Sequence, residues 1–267
     1  MLRTPRTLIF ALTGLLLLAG PFTACGGDDT TPDGSSTTER PADATTTAPV
    51  IDPGDGGKYV AELNAADVVE DIDNPYMPLV VGARWHYEGD SDGEIETTDV
   101  VVTADRKQVM GISAVVVRDT VAVAGDVVEE TYDWFVQDTA GNVWYLGEEV
   151  KDYENGKLVS TAGSWEAGVD GAQPGIVMPA HPAVGDVYRQ EFYPGEAEDM
   201  MEILAIDATA SVPAGEFTKV VTTRDWNPLE PEAVEEKSYA PGVGLVREEK
   251  VAGGAGLAEL HEHTPGP

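Results

Sequence analysis

From Arg84 onward the chain is a succession of apolar runs of five to ten residues, each broken by Gly, Pro, Asn or Asp. That spacing predicts strands throughout. Two runs constrain the fold further, because Val100-Val-Val102 and Val115-Val-Val117 are apolar on both faces. Such strands must be covered on both sides, by a second sheet, a helix or a ligand. The simplest all-β arrangement is a curved, barrel-like sheet of ten or eleven antiparallel strands, closed or half-closed. A two-sheet β-sandwich is the alternative.

The runs fall into two sets. Strands are expected at 84–88, 96–104, 114–123, 127–137 and 142–148, and again at 187–193, 199–208, 217–226, 234–239 and 244–250. Between the sets, Asn155-Gly156 marks a tight hairpin. A short helix is expected near Tyr59, Val60, Leu63 and Ala66, where apolar residues recur at helical spacing. Arg118-Asp119 precedes Glu129-Glu130 at the same distance that separates Arg224-Asp225 from Glu235-Glu236. The segments 76–148 and 178–250 therefore read as two related β-meanders, with chance likeness among β-rich segments the competing explanation.

The N-terminus sets the compartment. Arg3 and Arg6 precede a short apolar run, Leu8 to Ala19, and small residues lead to Cys25. This is the pattern of a secretory signal over 1–24. The cysteine there resembles the lipobox of bacterial lipoproteins, in which the thiol is diacylated and becomes the new N-terminus. Phe22 departs from that pattern, standing where the family usually has Leu or another aliphatic residue. Two acyl chains suffice for stable anchoring to a bilayer. Residues 25–57, rich in Gly, Thr, Ser, Asp and Pro, cannot bury enough apolar surface to order themselves and are expected to form a lipidated, disordered tether. A single β-rich domain is expected over 58–267. Cys25 is the sole cysteine, so no internal disulfide is available.

Charge excludes some partners. Taking Arg3 and Arg6 from the 16 basic residues leaves 14 against 48 acidic ones, a mature net charge of −34. Nucleic acid and anionic lipid headgroups are thereby excluded as direct partners. The acids serve either solubility or the capture of cations.

Ile72-Asp-Asn-Pro75-Tyr-Met-Pro-Leu79, Trp85-His-Tyr87, Asp133-Trp134, Gly141-Asn-Val-Trp-Tyr145 and Gly163-Ser-Trp-Glu-Ala-Gly-Val-Asp-Gly-Ala172 resemble an uncharacterised family of secreted bacterial proteins. The resemblance runs from about Ile72 to the end and carries no activity with it. Tyr239-Ala-Pro-Gly-Val-Gly-Leu-Val246 is similar to the last hairpin of envelope lipoproteins related to half-barrel lipid carriers, a likeness confined to one turn.

Signatures of catalysis are missing. Gly163-Ser164-Trp165 lacks the second glycine of a nucleophile elbow. No zinc, phosphate-loop or dinucleotide motif surrounds His86, His181, His261 or His263, so no cofactor or metal is expected. His261-Glu262-His263 would need further ligands to hold a metal, and a polar chain end is the simpler reading. Gly89 to Glu94 is rich in Asp, but a hairpin turn explains it better than a calcium loop. The stretch 161–182 shows no strand pattern, and is expected to plug one end of the sheet, to line a ligand site, or both.

A lipid-anchored, non-enzymatic binding module for a small apolar or amphiphilic ligand is the leading expectation, with Trp134, Trp144, Trp165, Met178 and His181 as candidate lining. Such a ligand calls for a cavity on the order of 300 Å³. The alternatives are a structural or protein-interaction component of the envelope and, last, a hydrolase. Replacing Cys25 with Ala should leave the chain unprocessed or released into the medium, with the β-domain folded. Radiolabelled fatty acid incorporation and fractionation would check this, and a C25A chain still lipidated and membrane-bound would refute the anchor.

Overall fold

The computed structural model describes residues 59–61, 63–91 and 94–267. The expected signal, Cys25 and the tether lie outside them. Sixteen antiparallel strands make one sheet among the described residues. They are Val68–Val69 (β1), Arg84–Ser91 (β2), Glu94–Val109 (β3), Ile112–Val123 (β4), Asp126–Asp138 (β5), Val143–Glu154 (β6), Lys157–Ser160 (β7) and Trp165–Glu166 (β8). Then follow Gln173–Met178 (β9), Val187–Arg189 (β10), Glu191–Phe192 (β11), Met200–Val212 (β12), Gly215–Trp226 (β13), Val234–Ala240 (β14), Gly244–Ala252 (β15) and Gly256–Thr264 (β16).

The sheet is nearly closed and barrel-shaped, as the doubly apolar strands required. Its order is β10-β12-β13-β14-β15-β16-β2-β3-β4-β5-β6-β9-β11, with β1, β7 and β8 attached at the sides. The two ends of this order are consecutive pieces of chain. Val187, Tyr188 and Arg189 pair with β12, and two residues later Glu191 and Phe192 pair with β9. The segment changes partners at Gln190 and so joins one edge of the sheet to the other, removing the open edges a sheet of this length would expose. A glycine permits the junction. A Cβ on Gly175 in β9 would come within 2.2 Å of the Gln190 carbonyl group.

The expected strands are present, and four features differ from expectation. Sixteen segments replace ten or eleven: β1 and β8 are two residues long and too short to show alternation, β10 and β11 divide the run expected at 187–193, and β7, β9 and β16 lie outside the expected runs. The helix near Tyr59 is a single 3-10 turn, Ala65–Asp67. The stretch 161–182 is not irregular throughout; it contains β8 and β9, and β9 is buried at nearly every residue, which hides the period of two. The C-terminal segment, expected as a polar chain end, is a paired strand, since β16 runs along β2 from Ser91 to Arg84. The hairpin at Asn155-Gly156 forms with φ of 52° and 71°, the left-handed geometry that suits this pair.

A strap at 72–82 covers one end of the barrel. Asn74 is buried and donates from Nδ2 to the carbonyls of Gly141 at 2.9 Å and Pro179 at 3.2 Å. Gln137 Oε1 accepts from the amides of Asp73 and Asn74 at 3.0 and 2.9 Å. These bonds press Met77 and Leu79 onto Trp85 and Tyr87.

The closure yields a prediction. Gly175→Ala should lower stability by roughly 3 kcal/mol, the upper range for overpacking, because backbone rather than a movable side chain is met. Hydrogen exchange should rise first at Arg189 and Phe192; an unchanged melting midpoint would show that the junction is dispensable.

Candidate functional site

Alternation sorts the side chains of each strand between the two faces. On β3, Glu96, Thr98, Val100 and Val102 are buried while their neighbours are partly or fully exposed. Asp119 and Val121 on β4, and Glu129, Thr131, Asp133 and Phe135 on β5, share that inner face through the pairings of β4 with β5 and the burial pattern. Directly opposed residues then trace one inner row across six strands: Thr223, Lys237, Glu248, Ala258, Gly89 and Glu96.

The interior divides along the barrel axis. Beneath the strap lies an apolar cleft bounded by Met77, Leu79, Trp85, Val100, Val243 and Leu245, whose free space is about 20 Å³. Two tyrosines form its deep side. Tyr87 Oη donates to the Leu245 carbonyl at 2.9 Å, and Tyr239 lies beside it. Burial raises both phenols, and the carboxylates of Asp119, Asp225 and Glu248 raise them further. Past these rings the interior is acidic.

Glu96, Glu129, Asp133, Glu148, Glu191, Asp225 and Glu248 are each at most 5% exposed, yet the buried cations are Lys237, Lys250 and Arg189. Lys237 Nζ sits 3.5 Å from Asp225 and 3.6 Å from both Glu235 and Glu248. Burial pulls its ammonium pKa down, but the three carboxylates outweigh that and hold it well above the ordinary value. Arg189 lies 3.6 Å from Glu198 and 4.3 Å from the Phe192 ring. A second, polar space of about 30 Å³ lies by Gln190, Asp199, Asp225, Asn227, Glu235 and Lys237.

The acids on the β3 to β6 wall have no such compensation. Both carboxylate oxygens of Glu96 lack a hydrogen-bond partner, and burial pushes its pKa up to about 7. Burial pushes Glu129 up to about 8, with repulsion from Asp152 adding and the Thr131 hydroxyl, at 3.2 Å, opposing. Asp133 accepts from Tyr145 Oη at 2.7 Å but stays raised by burial, as does its neighbour Glu148. Glu191 and Asp199 share a hydrogen bond, with Glu191 raised by burial and by its acidic neighbours. An interior of this kind keeps protons on carboxyls at neutral pH, or takes up a cation in their place.

The residues expected to line a ligand site do not converge. Trp134 and Trp144 lie on the face opposite Phe135 and Tyr145, where Lys107 Nζ covers Trp134 at 4.4 Å and reaches Glu166 at 3.0 Å. Trp144 Nε1 donates to Asp138 at 2.8 Å. Trp165 packs edge-on against Tyr145 at 5.3 Å, Met178 is fully buried opposite Val143, and His181 is exposed. None of the five borders either space. His86 and His261 meet at 6.5 Å on the outside around Glu88, and His263 stacks on Trp85. Among the described residues no three His, Cys, Asp or Glu side chains are placed to hold a metal.

The inner acids went unrecognised in the sequence because 48 acidic residues offer too many combinations. A signal was present: Glu96 and Thr98 stand in register with Val100 and Val102, and Glu129 with Thr131, Asp133 and Phe135.

These raised carboxyl pKa values fix the sign of the pH dependence. A carboxyl that titrates higher when folded contributes stability fully below its unfolded pKa of about 4.5, and that contribution is lost as pH rises to the folded value. Thermal midpoints should therefore fall between pH 5 and pH 8. Glu129→Gln should raise the midpoint at pH 8 by roughly 5 °C and flatten the profile. Glu130→Gln, on the other face, should do neither; equal effects of the two variants would assign the slope to overall charge.

No family model matches the chain, and no curated protein matches it. Solved structures similar to it include an exported-protein candidate with a YmcC-like fold from Bacteroides fragilis, 16% identical over 71% of this chain and 99% of that one, with a TM-score of 0.43. A lipoprotein candidate from Parabacteroides distasonis is 14% identical over 72% of this chain and 99% of that one, with a TM-score of 0.34.

Proposed function

We propose that this protein is exported, anchored through acylated Cys25 to the outer face of a membrane, and acts there as a non-enzymatic binding module for a small amphiphilic ligand. The observation that carries the reading is the division of the barrel interior. Hydrocarbon lines the end under the strap, and acids begin past Tyr87 and Tyr239. An amphiphile matches both halves, with its chain against Leu79, Trp85 and Val100 and its polar end toward the tyrosines.

The free space under the strap, about 20 Å³, is room for about one water and far below the several hundred Å³ that a bound small molecule takes up. An occupant therefore displaces Met77 and Leu79, and the strap is the moving part. It is tied at Asp73, Asn74 and Pro75 and again at Gly82, while Met77 and Leu79 between them are held by packing and by backbone bonds that stay within the strap, Met77 to Asn74 and Leu79 to Ile72. The same tight packing favours a second reading, a structural or protein-interaction component of the envelope with no small-molecule ligand.

Native mass spectrometry of the protein isolated from its own host separates the two. A co-purified apolar or amphiphilic mass, lost on unfolding and reduced by Leu79→Trp with the fold intact, is expected. A bare chain that also fails to take up fatty acid or detergent monomers, but crosslinks to an envelope protein, would establish the second reading instead.

A further inference from the structure

We infer that residues 263–267 are a latch on the strap, joining its trailing edge to the fixed wall of the apolar cleft and setting how readily the cleft opens. The latch's role rests on the amphiphile reading of the cleft; the contact itself does not. One end of the latch belongs to the barrel. β16 stays paired with β2 as far as Thr264, opposite Arg84, and His263 lies opposite Trp85. The two rings stack, 5.2 Å apart and inclined by 23°. Burial lowers the His263 pKa, so the stacked imidazole is neutral at pH 7. Trp85 is itself pinned, since its Nε1 donates to the Val243 carbonyl at 2.8 Å, and it bounds the cleft.

The other end belongs to the strap. Gly266 passes so near it that a Cβ there would stand 2.5 Å from Val80 Cγ1, and 2.9 Å from both Val80 Cβ and the Val81 carbonyl oxygen. A Cβ on Gly82 would likewise come within 3.3 Å of Pro267 Cδ. Backbone approaches of this kind call for glycine. The chain therefore runs from Trp85 on the wall to Val80, Val81 and Gly82 on the strap within residues 263–267.

This contact falls where the strap has to move. Met77 and Leu79 line the cleft, and their amides bond within the strap, to the carbonyls of Asn74 and Ile72. Both ends of the strap are held to the barrel, by Gln137 at Asp73 and Asn74 and by the Gly82 amide on the Val102 carbonyl at 2.9 Å. Swinging Met77 and Leu79 outward therefore turns the chain at Val80 and Val81, against Gly266. Those two valines stay 43% and 38% exposed with the latch in place. Its apolar contact is thus small and comes apart at small cost, as suits an element that moves on binding.

Hydrogen exchange at the Met77 and Leu79 amides, in the full chain and in its Gly266→Ala variant, tests the latch. The added methyl group forces residue 266 and the strap apart. Exchange about tenfold faster is expected at Met77 and Leu79, with the β16 amides of Ala258 and Leu260 unchanged. Should Gly266→Ala not fold by circular dichroism, deletion of residues 265–267 carries the same expectation. Uptake of dansyl-labelled undecanoic acid, followed by stopped-flow fluorescence, should accelerate by a similar factor. Unchanged exchange at Met77 and Leu79, or a rise shared equally by Ala258 and Leu260, would overturn the latch. Faster exchange with uptake at the same rate in both chains would overturn its control of the cleft. Faster strap exchange with no probe bound by either chain would keep the contact as a latch and remove the amphiphile reading. Probe bound at equal rates, with exchange unchanged, would sink the latch and leave that reading standing.

Discussion

The structure depends on a shared strand. Residues 187–192 bond first to β12 and then to β9, so the backbone polar groups at both ends of a long sheet find partners in one short segment. Nothing else joins those ends in sequence order; the chain must bring β9, formed late in the first half, against the start of the second. The close approach at Gly175 sets how tightly the ends meet. Once they meet, strands far apart in the sheet face one another, and Glu191 and Asp199 come near Glu148.

That enclosure explains the unusual state of the acids. On an open sheet Glu148, Asp133 and Glu129 would lie on a wet face and ionise normally. Inside a barrel they lose water, and Glu129 and Glu148 are disfavoured further by the proximity of the other acids. Two solutions to this cost coexist in the molecule. Around Lys237 one ammonium is shared among three carboxylates. On the opposite wall burial itself favours the protonated carboxyl, most clearly at Glu191, which is raised further by its bond to Asp199, while Tyr145 donating to Asp133 opposes the shift there. The formal net charge of −32 accordingly overstates the charge that the folded chain carries near neutral pH.

Much of the fold was legible in the residues. Val100 to Val102 and Val115 to Val117, apolar on both faces, called for a covered sheet, and Asn155-Gly156 announced its hairpin. Of the closing elements, β10 and β11 fall within the run expected at 187–193, though not as two pieces with different partners, and β9 was not legible because it is buried at nearly every residue and shows no period of two. The site was missed for a related reason. Aromatic residues drew attention to Trp134, Trp144 and Trp165, yet bulk says nothing about which face a strand turns inward. Trp134 and Asp133 are neighbours in sequence and lie on opposite faces; it is the aspartate that faces Tyr145. Register against a known inner valine, as for Glu96 and Val100, was the stronger signal.

The two meanders carry their acids at matching places. Asp119 and Glu129 in the first correspond by spacing to Asp225 and Glu235 in the second, and Asp119 and Asp225 are both buried. The second meander adds Lys237, two residues beyond Glu235. The corresponding position in the first is Thr131, whose hydroxyl bonds Glu129 but brings no charge. One wall therefore holds its acids with a lysine and the other with a neutral residue of the same rank in the strand. Buried ion groups seldom gain stability over well-packed hydrocarbon, so folding alone gives no reason for acids on a wall that has lost, or never had, its cation. Thr131 and Lys237, at the same spacing beyond Glu129 and Glu235, leave the two walls with different answers to the same cost of burial.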